Sequence, residues 1–447
     1  MDHLQLNNNY RRDLSEWTIN FIVLGSLFFL CWIAIFNAPN VAGFLIFMSL
    51  VSIILFITKD IYSLVFISLF ILINNQLLGA NFKIGPMYIS VKWITYPFIG
   101  ICFLSILLDG KYKKFKNSNK ITKNMYILGY IYMLFVNIIN KNINIDFSIT
   151  VLYFFAIGMI LQILVNSDEK YSRALIKAYF ISIAAIVIVG YIELIIGKTF
   201  FLSKWTLEER YRFGIMRIGS TVGDGNFMCL LLIPSYVLFK SKAFSNVINK
   251  IIINLFRILI FIQVIITTSR TGLLVLLIVQ CLMYLYKYKY LLGMFISSTI
   301  ITIPYINKLA YNLYNTDLGS NFARETMSEL AHNIWINNIY FGIGFGNFAN
   351  ISKQYTVGAI VDALQTMNTY YFILTSSGIL GLILYVLYII ITIKEDLIKF
   401  FRSKESSYIV IAIIGWSIMV STLDAFYIIF LWMIPSLVMA IKREDEI

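Results

Sequence analysis

Residues 369–393 read TYYFILTSSGILGLILYVLYIIITI. The stretch holds no Asp, Glu, Lys or Arg and exceeds the roughly 20 residues that a helix needs to cross a bilayer core. A barrel strand would alternate apolar and polar positions, whereas this run is solid. In lipid, a lone segment can satisfy its own backbone only as a helix.

Working outward, the rest of the chain repeats this pattern. Of 447 residues, 59% are hydrophobic and 13% charged, where soluble domains carry roughly 25% charge. A soluble globule is excluded, and with Pro 6, Gly 24 and Cys 4 so are fibrous and disulfide-stapled classes. The expected fold is all-α: a polytopic membrane helix bundle of about 14 transmembrane helices, one membrane domain over 1–447. The expected spans are Trp17–Phe36, Val41–Thr58, Ile61–Leu78, Met87–Leu108, Met125–Asn140, Phe147–Val165 and Leu175–Gly197, then Phe227–Phe239, Ile251–Thr267, Thr271–Tyr286, Leu291–Ile306, Thr369–Ile393, Tyr408–Thr422 and Ala425–Ile441. The first run follows Arg11 and Arg12, ends without an A-x-A site, and reads as a signal anchor. Cys31, Cys102, Cys229 and Cys281 all fall inside spans and read as small apolar residues.

Lys and Arg in short loops set the orientation. With the N-terminus cytoplasmic, Lys59, the cluster from Lys111 to Lys123, Lys170 and Arg173, Lys240 to Lys250, Lys287 and Lys289, Lys394 to Lys404, and Lys442 and Arg443 all fall inside. Both termini are then cytoplasmic in the cell membrane. This topology accounts for most of the formal +13 charge, and no nucleic-acid motif accompanies it.

Two outer segments break the rule of short, cation-poor loops. The basic outer loop, residues 198–226, carries Lys198, Lys204, Arg210, Arg212 and Arg217. The second, residues 307–367, is about 60 residues long, too long for a simple connector, and short helices are expected within it. Between them a tight outer turn, Thr267-Thr268-Ser269-Arg270-Thr271-Gly272, sets Arg270 at the membrane edge. An arginine there either snorkels to headgroups or serves a site. Arg257 fits the first reading; Arg217 and Arg270, beside Gly-bearing turns on one face, favour the second.

Within the long loop, residues 322–340 have helical periodicity, with Phe322, Met327, Leu330, Ile334 and Ile339 as an apolar stripe. Arg324, Ser328 and His332 share one face, beside Glu325 and Glu329. That face is either solvated or an acid/base and anion-binding surface. The following Phe341-Gly342-Ile343-Gly344-Phe345-Gly346-Asn347-Phe348 lacks dinucleotide-loop spacing and suits a re-entrant turn whose aromatics could stack on sugars. Met367-Asn368-Thr369-Tyr370-Tyr371 then leads into the run with which we began. Lys92 and Glu193, near outer helix ends, are either a structural ion pair or part of a cavity lining.

In this order, Arg217-Ile218-Gly219-Ser220 with Gly225-Asn226, Ser269-Arg270-Thr271, Arg324 and Trp335 before Gly342–Phe348, and Asn368–Tyr370 before Gly378–Gly381 resemble the O-antigen ligase and Wzy-type polysaccharide polymerase superfamily. The likeness covers Arg210 to Gly381. It implies an integral membrane glycosyltransferase acting on polyprenyl-diphosphate-linked oligosaccharides outside the cytoplasm, among membrane lipids. A chain-length regulator and a flippase are candidate partners. The family's histidine before Asn is Met367 here; that histidine is typical of ligases, so its loss points to a polymerase and leaves the base unassigned. Arg217 and Arg270 are then candidates for diphosphate binding and leaving-group stabilisation. His332, Glu325 or Glu329 are candidates for activating the acceptor, and Arg210, Arg212, Arg324, Asn368, Tyr370 and Lys92 for binding substrate. No paired outer carboxylates occur, Asp224 and Asp362 standing alone, so neither metal nor cofactor is expected. A ligase is the nearest alternative. A lipid-linked oligosaccharide flippase is the more distant one, since flippases usually show repeated halves and short outer loops.

Overall fold

The computed structural model describes residues 41–74, 81–84, 87–111, 120–141, 144–199, 211–212, 215–288, 318–355, 366, 368–426 and 428–445. These are predominantly helical. The helices are α1 (Val41–Thr58), α2 (Ser63–Ile73), α3 (Val91–Leu108), α4 (Lys120–Ile139), α5 (Ile145–Ser167), α6 (Glu169–Ile196), α7 (Gly225–Leu238), α8 (Lys242–Val247), α9 (Lys250–Ile266), α10 (Arg270–Leu285), α11 (Leu318–Ile336), α12 (Phe348–Tyr355), α13 (Thr369–Lys399), α14 (Lys404–Met419) and α15 (Ile429–Asp445). Among the described residues, four helical stretches are long and apolar enough to cross a membrane: Phe147–Ser167, Glu169–Ile196, Thr369–Lys399 and Lys404–Thr422. The other apolar helices are shorter, so length and composition do not by themselves give fourteen spans. Two expected spans, Trp17–Phe36 and Leu291–Ile306, lie outside the described residues.

The expected boundaries shift for local reasons. The span expected over Met87–Leu108 begins instead with strand β2 (Met87–Ser90), paired antiparallel to β1 (Asn81–Ile84) with Ile84 opposite Met87. Gly85-Pro86, between them, is turn chemistry. A second hairpin joins β3 (Tyr211–Arg212) to β4 (Ile215–Met216). Of the expected Ile61–Leu78, Ser63–Ile73 forms α2, every residue of which is buried, and residues 75–78 lie outside the described residues. A helix apolar all round needs no outward face when the bundle encloses it. The expected Ala425–Ile441 becomes helical at Ile429, after a turn in which the Ile428 amide donates to the Ala425 carbonyl.

At the bundle's centre α7 packs on α14, α15 on α5 and α6, and α10 on α14. Trp416 of α14 is fully buried, its ring 5.9 Å from that of Phe430 on α15. The periphery carries the opposite signature. On α9, Ile253, Ile260, Gln263 and Val264 turn inward, while Ile251, Leu255, Ile258, Ile262 and Ile265 are exposed. So much exposed aliphatic surface is what a helix presents to hydrocarbon rather than water. Helices, composition and surface together describe a membrane protein.

One end of the bundle is tied by ions. Arg173 meets Glu169 and Glu444, Lys170 meets Asp60, Lys442 meets both Glu395 and Asp396, and Lys242 donates its amide to Glu405. The opposite end is tied by helix caps and turns, and the candidate site lies there.

Candidate functional site

The arginine stations are built by two interlocked turns. After β4 comes buried Arg217, then Gly219 and a 3-10 turn over Ser220–Val222, with Ser220 at φ 50°. Ser220 carries this strained backbone because α6 holds it. The buried Glu193 carboxylate accepts from the amides of Gly219 (3.1 Å) and Ser220 (2.8 Å), and Ser220 Oγ donates to the Ile186 carbonyl (2.6 Å). Thr221 Oγ1 bonds to Asn74 Oδ1 (2.6 Å), just past the end of α2. Asp224, a lone carboxylate in sequence, is the N-cap of α7, its Oδ1 accepting from the amides of Asn226 (2.7 Å) and Phe227 (3.2 Å).

The second turn locks onto the first. Ser269 caps α10 by accepting from the Gly272 amide (3.1 Å), and its hydroxyl donates to Asn226 Oδ1 (2.7 Å). Thr267 Oγ1 lies 3.2 Å from Cys229 Sγ. Arg217 is near enough to Cys229 to act on it electrostatically, and that same thiol packs against Gly272 in the first turn of α10. Arg217 and half-buried Arg270 therefore belong to one junction, at the N-termini of α7 and α10.

A second feature is a re-entrant turn. Inside α13, Gly378 departs from helical geometry (φ 67°, ψ −169°), so the run that reads as one helix is two. The break frees backbone groups that residues 339–344 satisfy. The Ile343 amide donates to the Thr375 carbonyl (2.8 Å), Gly344 to Ser376 (2.9 Å), and Ile379 to Ile339 (2.8 Å). A Cβ at Gly342 would strike the backbone of residues 375–377, and one at Gly378 the Tyr340 carbonyl. The turn is anchored from α4, where Asn137 Oδ1 accepts from the Phe345 amide (2.7 Å), and from the cap of α5, where Asn144 Nδ2 donates to the Gly346 carbonyl (3.3 Å). Beneath it, α4, α13 and α15 wall a cleft with about 670 Å3 of empty space including its open mouth. Tyr132, Tyr385, Phe426 and Trp432 line it.

The loop helix α11 docks beside this turn. Met327, Leu330, Ala331 and Ile334 are buried with Ile343 and Phe348, so most of the expected stripe is real. Ile339 lies beyond the helix and is exposed. Arg324 and Ser328 are half-buried, while Glu325, Glu329 and His332 are exposed. The His332 ring lies edge-on to Trp335 (5.7 Å) and to Tyr371 (6.4 Å), which brings this face to the start of α13. Asn368 caps α13, accepting from Tyr370 and Tyr371. Tyr370 turns into the bundle and donates its hydroxyl to the Ser417 carbonyl (2.9 Å).

One residue the sequence reading passed over stands out. Asp424 lies in the turn between α14 and α15, outside both helices. Thr369 grips that turn: its amide and hydroxyl donate to the Leu423 carbonyl (2.9 and 2.6 Å), and its Oγ1 accepts from the Ala425 amide (2.8 Å). The Asp424 carboxylate itself is buried, and neither oxygen has a side-chain partner among the described residues. Burial pushes its pKa up to about 7, with only the Phe426 amide acting the other way. The signal was a single Asp between two apolar runs on the expected outer side, in a turn too short to attract notice.

Arg210 and Met367 lie outside the described residues. Arg212 is in β3 and Lys92 in the first turn of α3, both with undescribed side chains. The structure thus links the turns that carry Arg217 and Arg270, and brings His332 to Tyr371, while Glu193 holds the Gly219 and Ser220 amides. In comparisons with known proteins, no family model matches the chain and no curated protein matches it.

Proposed function

We propose that this chain polymerises lipid-linked oligosaccharide repeat units, transferring the growing glycan from polyprenyl diphosphate to a sugar hydroxyl of the next unit. The product is a surface polysaccharide of the capsular, exopolysaccharide or O-antigen kind. The observation that carries the reading is the Ser269–Asn226 clasp, which joins the two arginine-bearing turns at one junction.

Breaking the anomeric C–O bond builds charge on the departing diphosphate. Guanidinium groups match phosphate oxygens bidentately and remain charged at any working pH. In a partly dry cleft, each preorganised donor can contribute roughly 3–4 kcal/mol to transition-state stabilisation. Arg217 and Arg270 take that task. The face of α11 with Arg324, Glu325 and His332 receives the acceptor glycan. Fourteen spans with both termini cytoplasmic complete the reading. Of the residues expected inside, Arg173 and Lys442 tie the last helix to its neighbours, and of those expected at the outer side Glu193 holds Gly219 and Ser220 while Ser269 holds Asn226, which supports it.

The test uses purified full-length protein and lipid-linked repeat units extracted from cells lacking it. A polymerase lengthens these units with no other acceptor. Transfer only to a different lipid or protein acceptor would make the chain a ligase instead.

A further inference from the structure

Among the described residues Asp424 is an anomaly: a buried carboxylate with neither a cation nor a side-chain donor, and only the Phe426 amide beside it. Buried acids are ordinarily capped, ion-paired or metal-bound, as Asp224, Glu193 and Glu444 are capped or paired here. A group left in that state reduces stability, and such groups concentrate where chemistry needs them. The anomaly is also held in place. Three hydrogen bonds with Thr369, two donated by it and one accepted, fix the residues on either side of Asp424, at the start of α13. Asn368 caps that helix start, and Tyr371 meets His332 there. Two residues on, Phe426 forms part of the cleft wall.

We propose that Asp424 accepts the proton of the attacking acceptor hydroxyl. This rests on the polymerase reading, in which Met367 stands where the family has its histidine. The acceptor oxygen forms its bond to the anomeric carbon as the carbon–oxygen bond to the diphosphate breaks. The bonding pair leaves with the lipid diphosphate, and the hydroxyl proton ends on the Asp424 carboxylate. The exposed Glu325, Glu329 and His332 are hydrated, whereas Asp424 is shielded from water where α13 begins. No lysine, arginine, histidine or second carboxylate among the described residues acts on it electrostatically, so its basicity is set by burial and the Phe426 amide.

The experiment compares the full-length protein with D424N and D424E on extracted lipid-linked repeat units, recording kcat, KM, pH profile and melting temperature. For D424N, kcat should fall about 10²- to 10⁴-fold with KM nearly unchanged. The melting temperature at pH 8 should hold or rise. D424E should recover part of the rate, and the limb of the wild-type profile that rises near pH 7 should be absent from D424N. An active wild type with D424N kcat within about threefold overturns the assignment and leaves the polymerase reading intact. A fall in kcat matched by a fall in melting temperature overturns it too, by making the carboxylate structural. If the wild type itself does not lengthen the units, the polymerase reading fails, and the assignment with it.

Discussion

Ser269 donates its hydroxyl to Asn226 across 2.7 Å, bolting the turn that carries Arg270 to the turn that follows Arg217. Because Ser269 also caps α10 while Asn226 contributes only its side chain to this clasp, the two residues separate stability from alignment. Asn226→Ala should shorten the polymer sharply while lowering stability by only about 1 kcal/mol. Ser269→Ala should lower both, losing the cap as well. Chain length on gels and melting temperature in detergent check the pair; equal loss of stability in both would dissolve the distinction.

Replacing Arg270 or Arg217 by alanine should abolish long-chain product, with rate losses of about 10²- to 10³-fold, at normal membrane insertion. Lysine keeps the charge and loses the fork, so it should recover only a fraction of the rate. Unchanged chain length in Arg270→Ala at normal expression would sink the diphosphate assignment.

The break in α13 should tolerate no side chain. Gly378→Ala meets the Tyr340 carbonyl at a positive φ, and Gly342→Ala meets the backbone of residues 375–377. Each should cost on the order of 2–3 kcal/mol or fail to accumulate, as strained positions do when the backbone cannot yield. Asn137→Ala removes the side-chain acceptor of the Phe345 amide and should cost about 1–3 kcal/mol. Expression level and thermal unfolding measure all three.

The Asp424 carboxyl sets a pH dependence of stability. Its pKa is raised from 3.8 to about 7, so the native state holds a proton that the unfolded chain has released. Stability is then greatest below about pH 4, falls as pH rises towards about 7, and is flat above it. Asp424→Asn should erase that slope and melt a few degrees higher near pH 8. A variant with the wild-type slope would place the titration elsewhere.

On α11, His332→Ala removes a ring edge-on to Tyr371. Loss of an acceptor contact predicts a higher KM for the incoming unit with kcat less affected. A KM equal to that of the wild type would detach α11 from acceptor binding.

Much of this was legible without coordinates. Charge-free runs such as 369–393 fix helix and lipid, because the bilayer leaves an isolated apolar segment no other way to satisfy its backbone. Local chemistry also announced the turns: Gly342, Gly344 and Gly346 marked the re-entrant segment, and Thr267–Gly272 a tight turn. The rest depends on atoms far apart in sequence. That 369–399 is broken at Gly378 follows from residues 339–344 arriving to bond its freed groups, and that α2 is enclosed follows from its neighbours. Nothing near Glu193 in sequence reveals that it holds the amides of residues 219 and 220. Asp224 and Asp424 look alike as lone acids, yet one caps a helix and the other is buried without a side-chain partner. The sequence by itself determined which segments are apolar and helical, a local balance of side chain against backbone. Only the tertiary structure decided which polar groups are satisfied and which are left reactive, since burial and hydrogen bonding are set by what packs around them.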